Sequence, residues 1–119
     1  MISLHTVRSQ EDIAEVVRLA REIWLDHYVV IIGRKQVDYM LEKFQSEQAV
    51  REQLAGGYEY YLATRKGRRA GYLAVVSEQS DGALMLSKIY VKRAERGQGV
   101  GKAMLRFCLL YTSDAADEE

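Results

Sequence analysis

The sequence predicts an α/β chain of the α+β kind, with helices packed on the faces of an antiparallel sheet. Three observations lead there. Helical spacing of apolar residues dominates the first half of the chain, and three β-rich runs joined by short turn signals follow. A loop with three glycines in five residues, Gly97, Gly99 and Gly101, then separates the last run from another helical pattern. Strands joined by short turns pair antiparallel, and helices bury their apolar stripes against the sheet.

The elements follow in order. Ile2 to Val7 alternates and reads as a first strand. Ser9 and Asp12 have capping-box spacing. Ile13, Val16, Val17, Ala20 and Trp24 then recur on one helical face, which predicts a helix from about Glu11 to Tyr28. Val29 to Gly33 reads as an apolar connection. Val37, Met40, Leu41 and Phe44 predict a second helix. Ser46 can cap a third that carries Val50 and Leu54 and stops at Gly56 and Gly57. Tyr58 to Arg65 reads as a strand, Lys66 to Arg69 as a hairpin turn, and Ala70 to Ser77 as a strand covered on both faces. Ser80 to Gly82 turns the chain into a strand from Ala83 to Val91. After the glycines, Val100, Ala103, Met104 and Phe107 give a last helix with one apolar face.

Bulk properties exclude several functions. The chain has 119 residues, enough for one domain with one core. Formal net charge is zero, so there is no electrostatic case for nucleic acid or an anionic membrane as main partner. One cysteine excludes a disulfide framework, and neither histidine, His5 or His27, has metal-ligand spacing, so no metal site is expected. No 18-residue apolar run or signal-like N-terminus is present, which makes the cytoplasm the expected location.

A strand that runs through glycines into a helix start is an anion site in physical terms. The first N–H groups of a helix lack partners, the helix dipole is positive there, and glycine lets a phosphate approach the backbone. Arg96 and Lys102 bracket the loop with charge. The Walker A pattern fails, because Arg96 stands at its first glycine and Ala103 follows Lys102. The dinucleotide pattern fails because Lys102 stands at its third glycine.

Arg96-x-x-Gly99-x-Gly101 does match another pattern, and it resembles the acyl-CoA-binding motif of the GNAT family, the Gcn5-related N-acetyltransferases. The run Leu86 to Phe107 is similar to that family's fourth strand, pyrophosphate loop and following helix, and the preceding element order agrees. The resemblance covers residues 1–107 and implies the acyl-CoA N-acyltransferase fold, with a mixed, mostly antiparallel sheet flanked by helices. It implies acetyl-CoA as co-substrate and a primary amine as acceptor. Backbone N–H groups of Arg96, Gly97, Gln98, Gly99, Val100, Gly101 and Lys102 would hold the pyrophosphate. Ile89, Tyr90 and Val91 would pair with the pantetheine arm through their backbone, and one backbone N–H of that strand would polarise the thioester carbonyl. The acceptor would lie between the first two helices and the sheet, where Trp24, Tyr28 and Tyr39 are candidates.

The chain departs from the family in one respect. Many members carry a Glu on the fourth strand where this sequence has Met85. The resemblance therefore assigns no catalytic residue. A water chain, Glu59 or Glu78, or an amine that arrives neutral, remain open as the route for the proton. The missing Glu also motivates an alternative, a non-catalytic module that binds acyl-CoA. A phosphate-binding or structural domain without acyl chemistry is the third reading.

Residues 108–119, beginning Cys-Leu-Leu-Tyr-Thr-Ser-Asp-Ala-Ala-Asp-Glu, resemble a translated transposase adapter from sequencing libraries. They are expected to be a non-native tail. On that reading the domain is incomplete. Its further strands and the Tyr that commonly protonates the thiolate would lie beyond residue 107, and the 119-residue chain would bind CoA weakly without turnover. Homodimerisation of the longer protein stays open.

Overall fold

A computed structural model describes residues 2–77 and 84–117. The elements run β1 (Ile2–Thr6), α1 (Gln10–Ile32), α2 (Arg34–Phe44), α3 (Glu47–Ala55), β2 (Tyr58–Arg65), β3 (Arg68–Ser77), β4 (Leu84–Val91), a 3-10 turn (Arg93–Glu95) and α4 (Val100–Asp117). The strands form one antiparallel sheet in the order β1-β2-β3-β4, so β4 is the outer strand of the described sheet. Of the sequence readings, the turn Ser80 to Gly82, Glu78 and Ala83 lie outside the described residues.

Strand alternation sends apolar side chains to both faces. Tyr60, Leu62, Tyr72 and Ala74 pack with Ile13, Val16, Leu19, Ile23, Trp24, Val37, Leu41 and Val50 of α1, α2 and α3. Tyr61, Ala63, Leu73 and Val75 point the other way and pack with Val100 and Met104 of α4. Leu62 and Leu73, both fully buried, each contribute roughly 1.5–3 kcal/mol through this burial. The sheet is thus covered twice, as its continuous apolar β3 requires.

Two boundaries differ from the sequence reading. α1 does not stop at Tyr28 but continues to Ile32. The connection read at Val29 to Gly33 is therefore its last turn, ended by Gly33 at φ 87° with its N–H on Val29 O. Nothing in Val29 to Ile32 breaks a helix, and the end comes where glycine takes a positive φ. The hairpin turn is shorter than read, with Lys66 and Gly67 at φ 53° and 76° and β3 beginning at Arg68. α4 runs from Val100 to Asp117, and Cys108 packs against the cluster that Val100 and Met104 form with the sheet.

The α1 start is built as its spacing predicts. Ser9 accepts from Asp12 N, and Asp12 accepts from Ser9 N at 3.2 Å and Arg8 N at 3.0 Å, while His5 Nε2 lies 3.2 Å from its carboxylate. The backbone bond from Arg8 chiefly, with those from Ser9 and His5, lowers the Asp12 pKa from 3.8 to about 2. A lowered carboxylate contributes stability above its unfolded pKa and loses it as pH falls toward the folded one. Asp12→Ala is therefore expected to cost about 1 kcal/mol at pH 7. Urea melts of both proteins should draw together as pH falls from about 5 toward 2 and converge below it. A gap that persists there would show that the cap does not act through the ionised carboxylate.

Candidate functional site

β4 feeds the glycine loop, and two features place that loop. Glu95 of the 3-10 turn is almost fully buried. It accepts from Arg65 Nε at 2.6 Å and pairs with Arg68 at 3.7 Å, both from the β2–β3 hairpin. The hydrogen bond from Arg65 is the main reason its pKa is held below the usual value. Arg96 N then donates to Arg93 O, and the backbone turns through Gly97 at φ 80° and Gly99 at φ 83°. Gly99 O accepts from Ala103 N, so Gly99 caps α4.

A methyl group added at Gly97 or Gly99 would meet nothing within 4 Å. There is open space above the loop, and the α4 N-terminus is the site's fixed positive end. Arg96, Gly97, Gln98, Gly99 and Lys102 are exposed, Gly101 is partly covered, and Val100 is buried as the inward anchor. The structure thus brings Arg96 to Lys102 into one loop at a helix start. Ile89 and Val91 face the α4 side, and Tyr90 faces the α1–α3 side.

Trp24 and Tyr28 lie close to this strand. Their rings are 4.8 Å apart, and Trp24 is 5.8 Å from Tyr90, which is 5.4 Å from Tyr72. Trp24 Nε1 is buried near Tyr72, close enough to influence that hydroxyl, yet it makes no hydrogen bond of normal geometry among the described residues. Burial raises the pKa of Tyr72 and Tyr90. The structure does not bring Tyr39 into this group, for it is 57% exposed and its hydroxyl accepts from Lys43 on α2.

Met85 lies where simple alternation would not put it. β3 and β4 change register between Ala74, paired with Lys88, and Val75, paired with Leu86, so Ser87 is left out as a bulge. The bulge reverses the faces beyond it. Met85 sits opposite Val76, which sits opposite Tyr58, on the α1–α3 side. Glu59, the other described carboxylate considered, accepts from Tyr61 OH, whose ring belongs to the α4 side.

The sequence reading missed Lys88. It pairs with Ala74, which pairs with Tyr60, so the lysine stem crosses a small residue to reach the next aromatic. Its Nζ donates to Tyr60 OH and Gln53 Oε1, each at 2.7 Å, and Tyr60 OH donates to Gln53 Oε1 at 2.6 Å. Burial lowers the Lys88 pKa from 10.5 to about 8. The available signal was a lone lysine at the tyrosine-facing position of an apolar strand.

The sign of this shift gives a test. Between about pH 8 and 10.5 the unfolded chain keeps a proton that the folded chain has released, so stability from this group rises with pH across that window. In Lys88→Met the rise is expected to vanish, with stability at pH 7 equal to or above the parent's. Urea unfolding of both proteins at pH 7, 9 and 10 checks it, and parallel curves would refute the buried-cation assignment.

Comparisons with known proteins agree with this architecture. Residues 31–119 match the family model described as "Acetyltransferase (GNAT) domain". No curated protein sequence matches the chain. Among solved structures, the PaiA N-acetyltransferase of Thermoplasma acidophilum, in complex with coenzyme A, is similar with TM-score 0.80 at 18% identity. The similarity covers 98% of this chain and 74% of that one. A GNAT-family acetyltransferase from Staphylococcus aureus Mu50 has TM-score 0.69 at 15% identity, over 96% and 68% of the two chains. A putative acetyl transferase from Pyrococcus furiosus has TM-score 0.67 at 19% identity, over 98% and 77%. With this fold, and with a family match over most of its length, the chain belongs to the GNAT acetyltransferase family.

Proposed function

We propose that the protein is an acetyl-CoA-dependent N-acetyltransferase that uses the loop Arg96 to Lys102 to hold the CoA pyrophosphate. The observation that carries this reading is the open space above Gly97 and Gly99, both at positive φ, where β4 runs into the α4 N-terminus. The Arg96 N–H is already given to Arg93 O, so Arg96 contributes its guanidinium, while the N–H groups from Gly97 onward, which have no backbone acceptor before α4 begins among the described residues, can donate to phosphate oxygens. The backbone of Ile89, Tyr90 and Val91 lies on an outer strand of the described sheet, bordered among the described strands by β3 alone, and its other side can pair with an extended pantetheine arm. A neighbour of the same fold holds coenzyme A, which supports an acyl-CoA ligand.

The reaction is direct transfer. The neutral amine nitrogen attacks the thioester carbonyl, a C–N bond forms, and the oxyanion takes a hydrogen bond from a β4 N–H. Collapse breaks the C–S bond and releases CoA thiolate, while the amine gives up its proton to water or a base. Trp24 and Tyr28 form an aromatic wall that α1 sets beside this strand. With β4 bordered by β3 alone among the described strands, only one wall of the thioester channel is described. We accordingly expect the 119-residue chain to bind CoA weakly and to transfer no acetyl group.

Met85 favours a second reading, an acyl-CoA-binding module without catalysis, because an apolar side chain occupies the strand position where a base is common in the family. Calorimetric titration with desulfo-CoA tests binding. Chromatographic loss of acetyl-CoA with an amine panel tests transfer. Binding without transfer would fit the module or the inactive chain, and transfer by this chain would refute both. Absence of desulfo-CoA binding would refute the loop assignment.

A further inference from the structure

We propose that Lys88 is an anion anchor in the acceptor site, so that the amine substrate carries a carboxylate. This rests on the acyltransferase reading above. The register Tyr60–Ala74–Lys88 lays the lysine along the α1–α3 face of the sheet, away from α4. Among the described residues its ammonium touches neutral partners only. These are Tyr60 OH and Gln53 Oε1 by hydrogen bond, and the rings of Tyr58 and Tyr60 with centroids at 5.9 and 5.3 Å. Among the described residues no carboxylate lies within ion-pair distance of it, whereas the comparably interior Arg65 has Glu95.

A half-buried cation without a counter-charge is costly in a finished core. Neutral oxygens and ring faces orient the ammonium and leave its charge uncompensated. Two of its three N–H bonds are used, and one remains to meet a ligand. One fixed positive charge matches one carboxylate, and a polycationic acceptor would meet like charge at the same place. Lys88 sits three positions before Val91 on the strand proposed to hold the thioester. On this proposal an amino acid or a peptide-like amine presents its nitrogen to that strand while its carboxylate rests on the Lys88 ammonium.

N-acetylglycine and N-acetylglycinamide serve as probes, since they differ only in the carboxylate. Each is titrated into the 119-residue chain with ¹³Cε-lysine label, with desulfo-CoA present, and the Lys88 resonance is assigned with Lys88→Met. N-acetylglycine is expected to move the Lys88 resonance and its titration midpoint upward, with about tenfold preference over the amide. Lys88→Met should keep desulfo-CoA binding and lose the preference. An equal response to both probes, or none to either while desulfo-CoA binds, would overturn the anion anchor and leave the acyl-CoA reading standing. A chain that ignores desulfo-CoA overturns that reading instead.

Discussion

Gly99→Glu is expected to weaken CoA binding about 100-fold or more while the protein stays folded. Two opposing effects keep the stability change small. Gly99 has φ 83°, where an L side chain costs roughly 1–2 kcal/mol. A carboxylate at a helix N-terminus returns about 0.3–1 kcal/mol through the helix dipole. No atom lies within 4 Å of the new Cβ, so there is no clash to add. The same carboxylate then competes for the N–H groups proposed for the pyrophosphate and repels it. A loss of about 3 kcal/mol corresponds to the 100-fold change. Gly99→Ala separates the causes, because it carries the strain without the charge and should lose only a few-fold. Titration with desulfo-CoA at two salt concentrations gives the answer. Affinity within three-fold of the parent in Gly99→Glu would remove the pyrophosphate from this loop.

The loop was legible because its determinants are local. Glycine spacing, the strand before it and the apolar face of Val100 and Met104 all lie in one short stretch of chain, and the positive φ at Gly97 and Gly99 is what such spacing is for. The Ser9–Asp12 cap was legible for the same reason. What stayed hidden depends on residues far apart in the chain. Lys88 reads as an ordinary strand lysine until Ala74 and Tyr60 are placed beside it, and Gln53 comes from a helix 35 residues earlier. Glu95 carries no mark of burial until the hairpin brings Arg65 and Arg68 to it. The Ser87 bulge inverts the faces of Met85 and Leu86, and no alternation rule contains it. α1 was cut short because Val29 to Ile32 is apolar all round, which blurs the helical period at the point where the helix leaves the core.

Gly71→Ala is expected to be among the most destabilising single-methyl changes in the chain, and its cause is tertiary. Gly71 has no unusual φ; it is required because β4 passes directly over it. A Cβ there would lie 2.2 Å from Tyr90 O and 3.1 Å from Val91 Cα, both backbone atoms that cannot rotate away. β4 must retreat by about an ångström. That strains the Gly71–Val91 pairing and the bond from Lys92 N to Ala70 O at 2.8 Å, at the point where β2 and β3 shift register and Ala70 is left without a β2 partner between Gly71, opposite Ala63, and Arg69, opposite Thr64. Such forced backbone shifts cost about 2–3 kcal/mol. In a domain this size that lowers Tm by roughly 10 °C. The damage does not stay in the core. Tyr90 and Val91 belong to the strand proposed for the pantetheine arm, and Lys92 leads into the turn that carries Glu95 and Arg96. Desulfo-CoA affinity should therefore fall even below the melting range. Gly67→Ala is the matched comparison, since its φ of 76° lies in an open turn with nothing within 4 Å. It should cost about 1 kcal/mol from backbone strain alone and leave CoA binding intact. If Gly71→Ala melts within two degrees of Gly67→Ala, β4 is not held against β3 at Tyr90 and Val91. The loop would then be positioned by the Glu95 contacts rather than by the strand that feeds it.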